Sequence, residues 1–189
     1  ISYAIFQKIS QNKYSEIFHQ SLLLESNENF EESLKNLDQI CHATFAPKKI
    51  RSLACLRFAG LNNGLGKQKE ALETYKELAE KFGFDKYSKE LAALFVSKNI
   101  AISAINNTDK ALIQANAKLI DNYAKDSKIL HGLILEQQAI FLMRSGDLEK
   151  FYKVLEEISK DKNSSNSIKA RAQEIMKLVV DKGYVAKAK

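Results

Sequence analysis

Gly66-Lys67-Gln68-Lys69-Glu70-Ala71-Leu72-Glu73-Thr74-Tyr75-Lys76-Glu77-Leu78 is a helix start behind a glycine, and its pattern returns along the chain. Ala71, Tyr75 and Leu78 lie four and three residues apart, which places their side chains on one helix face. Glu28-Asn29-Phe30-Glu31-Glu32-Ser33-Leu34-Lys35-Asn36-Leu37-Asp38-Gln39-Ile40 aligns with it without a gap, so that a small residue, a leucine and two further apolar positions coincide. Gly146-Asp147-Leu148-Glu149-Lys150-Phe151 opens another copy that continues through Leu155 and Ile158, and Asn106 to Lys118 follows more weakly through Ala111 and Ala115. The equivalent positions Ser33, Ala71, Ala111 and Phe151 stand 38, 40 and 40 residues apart. A fixed period of this size marks an array of helical hairpins, each of which needs a neighbour to cover its apolar face.

Outward from these segments, apolar residues keep a helical spacing almost from end to end. Short polar clusters interrupt it at Asn27 to Asn29, Gly64 to Lys67, Gly83 to Lys86, Asn106 to Thr108, Lys125 to Lys128, Ser145 to Asp147 and Asp161 to Ser167. They predict nine helices, over about 2–25, 29–43, 47–63, 67–82, 87–105, 108–124, 128–144, 147–160 and 166–181. Pro47 suits a first helical position, Thr108, Ser127 and Ser167 suit helix caps, and Asp109, Asp126 and Asp147 suit helix starts, where a carboxylate favours the dipole. Connections this short force neighbouring helices to run antiparallel. The expected fold is therefore all-α: four antiparallel hairpins over 2–43, 47–82, 87–124 and 128–160, with 166–181 as a C-terminal cap, in one domain spanning 1–189. A terminal unit needs a polar outer face.

Composition agrees. The 189 residues include one proline and seven glycines, and 45% are hydrophobic and 28% charged. That is too charged for a membrane-embedded chain, and the apolar stretches Leu91 to Val96 and Ile100 to Ile105 fall far short of the roughly 20 residues that span a bilayer. The net charge of +6 raises the question of nucleic acid or anionic lipid. The lysines are scattered and no run of five or six like charges occurs, so a solvated surface is the expectation and nucleic acid is not an expected partner.

Cys41 and Cys55 are the only cysteines. Both sit in helical apolar patterns, and buried free thiols are expected because cysteine behaves as a small hydrophobe; a single disulfide between them is the other reading. The histidines, His19, His42 and His131, form no metal-binding pair at helical spacing, and no phosphate loop, nucleophile elbow or dinucleotide fingerprint is present. Paired carboxylates such as Glu31-Glu32 and Glu156-Glu157 belong to hydrophilic helix faces. No catalytic residue, metal or cofactor is expected; the chain reads as a protein-binding module.

In stacked hairpins the first helix of each pair lines the concave side. The repeat alignment places Leu53, Leu56, Gly60 and Asn63 there in the second hairpin and Leu133, Glu136, Ile140 and Met143 in the fourth. Their largely apolar character suits extended hydrophobic segments, although Leu53, Leu56 and Leu133 also fit ordinary packing between helices.

The spacing Gly66-x4-Ala71-x3-Tyr75-x2-Leu78, with Ala59 seven residues before Gly66 and Ala139 seven before Gly146, resembles a tetratricopeptide repeat. Phe151 departs from it where alanine is usual, Glu28 and Asn106 stand where glycine is expected, and the period exceeds the usual value of about 34 residues. Leu53-Ala54-Cys55-Leu56-Arg57-Phe58-Ala59-Gly60-Leu61 leading into Gly66-Lys67-x2-Glu70-Ala71-Leu72, together with Lys89-Glu90-Leu91-Ala92-Ala93-Leu94, Gly146-Asp147-Leu148 and Ile168-Lys169-Ala170-Arg171-Ala172-Gln173-Glu174-Ile175, is similar to the alphaproteobacterial branch of the YfgM-like family, ancillary subunits of the SecYEG translocon. The resemblance implies a right-handed tetratricopeptide-like solenoid that faces the periplasm behind one transmembrane helix of the bacterial inner membrane. A chain without an initial Met fits an anchored fragment. It also implies protein partners: translocon subunits, chaperones or unfolded secretory clients. The alternative is a soluble cytoplasmic scaffold for a multiprotein complex, and a third class is a basic domain on nucleic acid or anionic lipid.

Overall fold

The computed structural model of the protein describes residues 2–81, 83–106 and 108–183. Residues 1 and 184–189 of the expected domain, residue 82 at the expected end of the second hairpin and residue 107 within the Asn106 to Thr108 break lie outside the described residues. Among the described residues the regular structure is all helical, with no strand: α1 Ser2–Ser26, α2 Phe30–Cys41, α3 Lys48–Gly64, α4 Gln68–Glu80, α5 Lys86–Ser103, α6 Lys110–Asp126, α7 His131–Arg144, α8 Leu148–Lys160 and α9 Asn166–Asp181, with a single 3₁₀ turn, Ala104–Asn106, after α5. The chain divides into two compact units, Ile1–Ala92 and Ala93–Lys189.

In the first unit α1 packs on α2, α2 on α3 and α3 on α4. Leu37, Ile40, Ala46 and Ala54 form a buried centre against which Tyr14, Ile17, Phe18 and Phe58 pack. In the second, α6 packs on α7, α7 on α8 and α8 on α9. Here α8 buries Phe151, Val154, Leu155 and Ile158, spaced three, one and three residues apart as a single core-facing stripe requires.

Helix ends depart from expectation where the capping chemistry lies one or two residues away. Asp109, not Thr108, is the N-cap of α6, its carboxylate accepting from the backbone N–H groups of Ala111 and Leu112. Ser165, not Ser167, caps α9 by accepting from the N–H of Ile168. Ser127 lies at the C-cap of α6, Asp126 is the last residue of that helix, and Pro47 stands at the N-cap of α3, just before the first turn. The α7 helix begins at His131 after a non-helical Leu130, three residues later than periodicity predicts. The cysteines are also a correction. Cys41 and Cys55 form a disulfide joining the end of α2 to α3, with Cα atoms 4.8 Å apart. Packing α2 against α3 brings the two apolar positions to bridging distance.

The repeat alignment reappears in the turns. Gly66 and Gly146 have φ of +80° and +82°, and Glu28, at the aligned position, has φ of +60°. Around each, the same two bonds close the preceding helix. The N–H of Lys67 donates to Asn62 O and that of Gly66 to Asn63 O; Asp147 and Gly146 donate to Leu142 O and Met143 O; Asn29 and Glu28 donate to Leu24 O and Glu25 O. These are three Schellman turns in one register, and the left-handed residue at their centre is the reason glycine recurs there. An added Cβ meets nothing within 4 Å at Gly66 or Gly146, so only backbone strain opposes a side chain. Gly66→Ala and Gly146→Ala are each expected to lower stability by about 1 kcal/mol, and Glu28→Gly to raise it by about 0.5–1 kcal/mol, in urea unfolding. A destabilised Glu28→Gly would contradict the left-handed turn there.

Candidate protein-binding groove

The four expected positions of α7 share one face because they recur at three- and four-residue intervals. Leu133, Glu136 and Ile140 are half-buried and Met143 is exposed, while Ile134, Leu135, Ala139 and Leu142 turn into the core. Glu136, Ile140 and Met143 come together with α8 and α9 around an open groove of about 490 Å³. Phe151, Leu155 and Ile158 of α8 form its floor, and Ala172, Ile175 and Leu178 of α9 form the wall opposite α7. Leu133 does not reach it; it lines a smaller, more polar recess with Gly132, Ser164 and Ile168.

The one charged feature of the groove is internally compensated. Arg171 donates from Nε and Nη2 to Glu136 Oε1, at 3.0 and 2.7 Å, linking α9 to α7 toward the N-terminal ends of both helices. The rest of the lining is aliphatic, aromatic or thioether, apart from Gln137.

The α3 set belongs to the other unit and is built differently. Leu53, Gly60 and Asn63 are exposed and Leu56 is half-buried, whereas Ala54, Cys55, Ala59 and Asn62 are buried. The face is shared as expected. What lies beside it is polar: Arg57 donates from Nε to Glu25 Oε1 and Oε2 at 3.1 and 2.8 Å, and also from Nη2, while Ser33 Oγ donates to Glu25 Oε1 at 3.2 Å. Hydrogen bonding to Glu25 raises the Arg57 guanidinium above its ordinary value, against a smaller opposing effect of burial. Counting from the matching turns, Glu25, Ser33 and Arg57 correspond to Met143, Phe151 and Ile175, 118 residues later. One hairpin context thus holds an ion pair with a serine, and the other an apolar trio that opens into the groove.

Ile175 and Leu178 were not among the expected site residues, since they lie on α9, which the repeat pattern reads as a cap. The expected polar outer face is present in exposed Gln173, Glu174 and Lys177. The overlooked signal is the width of the apolar stripe: Ile168, Ala172 and Val179 are buried, yet Ile175 and Leu178 beside them stay 39% and 56% exposed. His131 Nδ1 donates to Ala124 O at 2.7 Å and His42 Nδ1 to Asp38 O at 3.1 Å, so both engage backbone carbonyls. Among the described residues no three His, Cys, Asp or Glu side chains gather to hold a metal ion, and no helix is long and apolar enough to cross a membrane. No protein-family model, curated protein or solved structure matches the chain.

Proposed function

We propose that the chain is a non-enzymatic protein-binding module of tetratricopeptide-like hairpins, the periplasm-facing part of a single-span inner-membrane protein that assists the Sec translocon or the chaperoning of exported proteins. The observation that carries the binding role is the α7–α9 groove. Its walls keep apolar side chains in water around a cleft with no uncompensated charge, which suits a hydrophobic polypeptide segment better than an acidic tail. The recurring Schellman turns support the tetratricopeptide-like reading, with right-handed stacking of hairpins inside each unit. The Cys41–Cys55 disulfide supports the compartment, because such bonds persist in oxidising spaces and are rare in the cytosol; it weighs against the alternative of a cytoplasmic scaffold.

Two measurements test this. Photo-crosslinking from Ile140 and Ile175 in the native membrane, read by mass spectrometry, should capture translocon subunits, periplasmic chaperones or exported chains. Capture of cytosolic proteins alone would sink the export reading. In solution, Met143→Glu/Ile175→Glu should weaken binding of a carboxymethylated, permanently unfolded polypeptide about tenfold or more, with the helical circular dichroism unchanged, since each side chain contributes on the order of 1.5–3 kcal/mol of apolar burial. Unaltered binding would remove the groove from the mechanism.

A further inference from the structure

A second surface lies at one end of the first unit and owes nothing to the groove. Ser10 Oγ of α1 donates to Phe45 O in the α2–α3 connection at 2.8 Å, which seats that connection against the N-terminal half of α1. Phe45 is 70% exposed, and Ile9 and Ile5, one turn apart on α1, are 62% and 54% exposed. Three large apolar side chains at one end, facing water, are more than a scattered surface requires.

Positive charge flanks them, and carboxylates at the same end are engaged by other groups: Asp38 and Glu77 lie 3.0 and 3.8 Å from His42, Glu77 also pairs with Lys81, and Asp85 Oδ2 accepts from Ser88 Oγ at 2.5 Å. Lys8 and Lys13 are exposed on the same half of α1, and Lys48 and Lys49 are exposed three and four residues after Phe45. Residues 1–15 and 43–50 contain no Asp or Glu. None of the four lysines has an ion-pair partner among the described residues; Lys13 rests over the Tyr14 ring, its Nζ 5.7 Å from the centroid. The rim continues past α3, where Ser52 Oγ accepts from the N–H of Asp85 at 2.9 Å, to Tyr87, 61% exposed in the first turn of α5. At the opposite end, where Lys67 and Lys69 stand at the start of α4, the α1–α2 connection and the first turn of α2 themselves carry acid, at Glu28, Glu31 and Glu32.

We propose that this end of the first unit docks on an anionic bilayer surface. Phe45, Ile5 and Ile9 enter the boundary between headgroups and acyl chains, and the four lysines meet lipid phosphates. Interfacial binding needs apolar depth together with cationic side chains that reach back to the headgroups, and both are present here. A nucleic acid would use the lysines and Phe45 but would leave Ile5 and Ile9 in contact with a charged sugar–phosphate backbone. A neutral protein partner would leave four unopposed lysines at its edge.

The test is co-sedimentation of the full chain with vesicles of phosphatidylcholine alone or with about one third phosphatidylglycerol. Binding should require the anionic lipid and should fall steeply as salt rises toward a Debye length of about 3 Å. Lys48→Gln/Lys49→Gln should lower the partition coefficient about 25-fold, fivefold for each lysine near the surface. Phe45→Ser should lower it about tenfold or more, while Lys67→Gln/Lys69→Gln at the opposite end leaves it unchanged. All of these side chains are exposed, so the variants should stay folded, and circular dichroism checks that they do. Equal binding to neutral vesicles, no binding to anionic ones, or equal losses from both lysine pairs would overturn the proposal. So would tighter binding to a short DNA duplex that Phe45→Ser leaves intact, which would assign the lysines to nucleic acid instead.

Discussion

Phe151→Ala should destabilise the second unit by about 3–5 kcal/mol, even though it restores the residue that the tetratricopeptide pattern favours at that position. In the aligned hairpins the site is small, and Ser33 and Ala71 are 0% and 2% exposed because two helices close over them. In the last hairpin Phe151 is 3% exposed, so the space between α7, α8 and α9 is organised around its ring, with Ile158 and Leu155 packed along the same stripe. Removing the ring leaves a void that rigid helices collapse into only in part. Replacement of an unusual residue by the one a repeat pattern favours commonly stabilises a protein, and here the opposite sign is expected because the ring fills the buried space between the helices. Chemical denaturation followed by circular dichroism measures it. A loss under about 1 kcal/mol would mean that α8 can settle toward α7, and that the groove floor is soft.

The same residue illustrates what periodicity reveals. Spacing of apolar positions located the nine helices of the described residues, and the aligned glycines located the turns, because both follow from backbone geometry that a local sequence must satisfy. Glu28 looked like a defect in the pattern and proves to adopt the glycine conformation, with φ of +60°; hydrogen bonding of the turn overrides the side chain's preference. Helix ends were less legible. Thr108 and Asp109 both offer a capping oxygen, and only the three-dimensional path of the chain selects Asp109.

The candidate site was legible on α7 and hidden on α9. Glu136, Ile140 and Met143 follow from the face that the first helix of a hairpin presents, while Ile175 and Leu178 belong to a helix whose packing partner is set by tertiary contact. Likewise the lysines at 8, 13, 48 and 49 look dispersed along the chain, and the hydrogen bond from Ser10 to Phe45 draws their two segments together. Long-range pairing is the information that a periodic pattern lacks.

Loss of the Cys41–Cys55 bridge is expected to lower the stability of the first unit by about 3 kcal/mol and to leave the unfolding of Ala93–Lys189 in place. The bond closes a loop of sequence separation 14 around the α2–α3 connection, and most of its effect lies in the unfolded chain, whose freedom it restricts. Both residues are almost wholly buried, at 3% and 1% exposure, beside Ile40 and Ala54 of the core. Cys41→Ala/Cys55→Ala therefore tests the bridge more cleanly than serine, which would add two buried hydroxyls. Denaturant titration of wild type, of the double variant, and of wild type in reductant should give two curves shifted together and one unshifted, and thiol titration of the unfolded, unreduced protein should find no free sulfhydryl. If instead two thiols titrate and the variant unfolds with the wild type, the cysteines are small hydrophobes of the α2–α3 seam. An oxidising compartment would then lose its support together with the bond, and the cytoplasmic scaffold would become the better reading of the same groove.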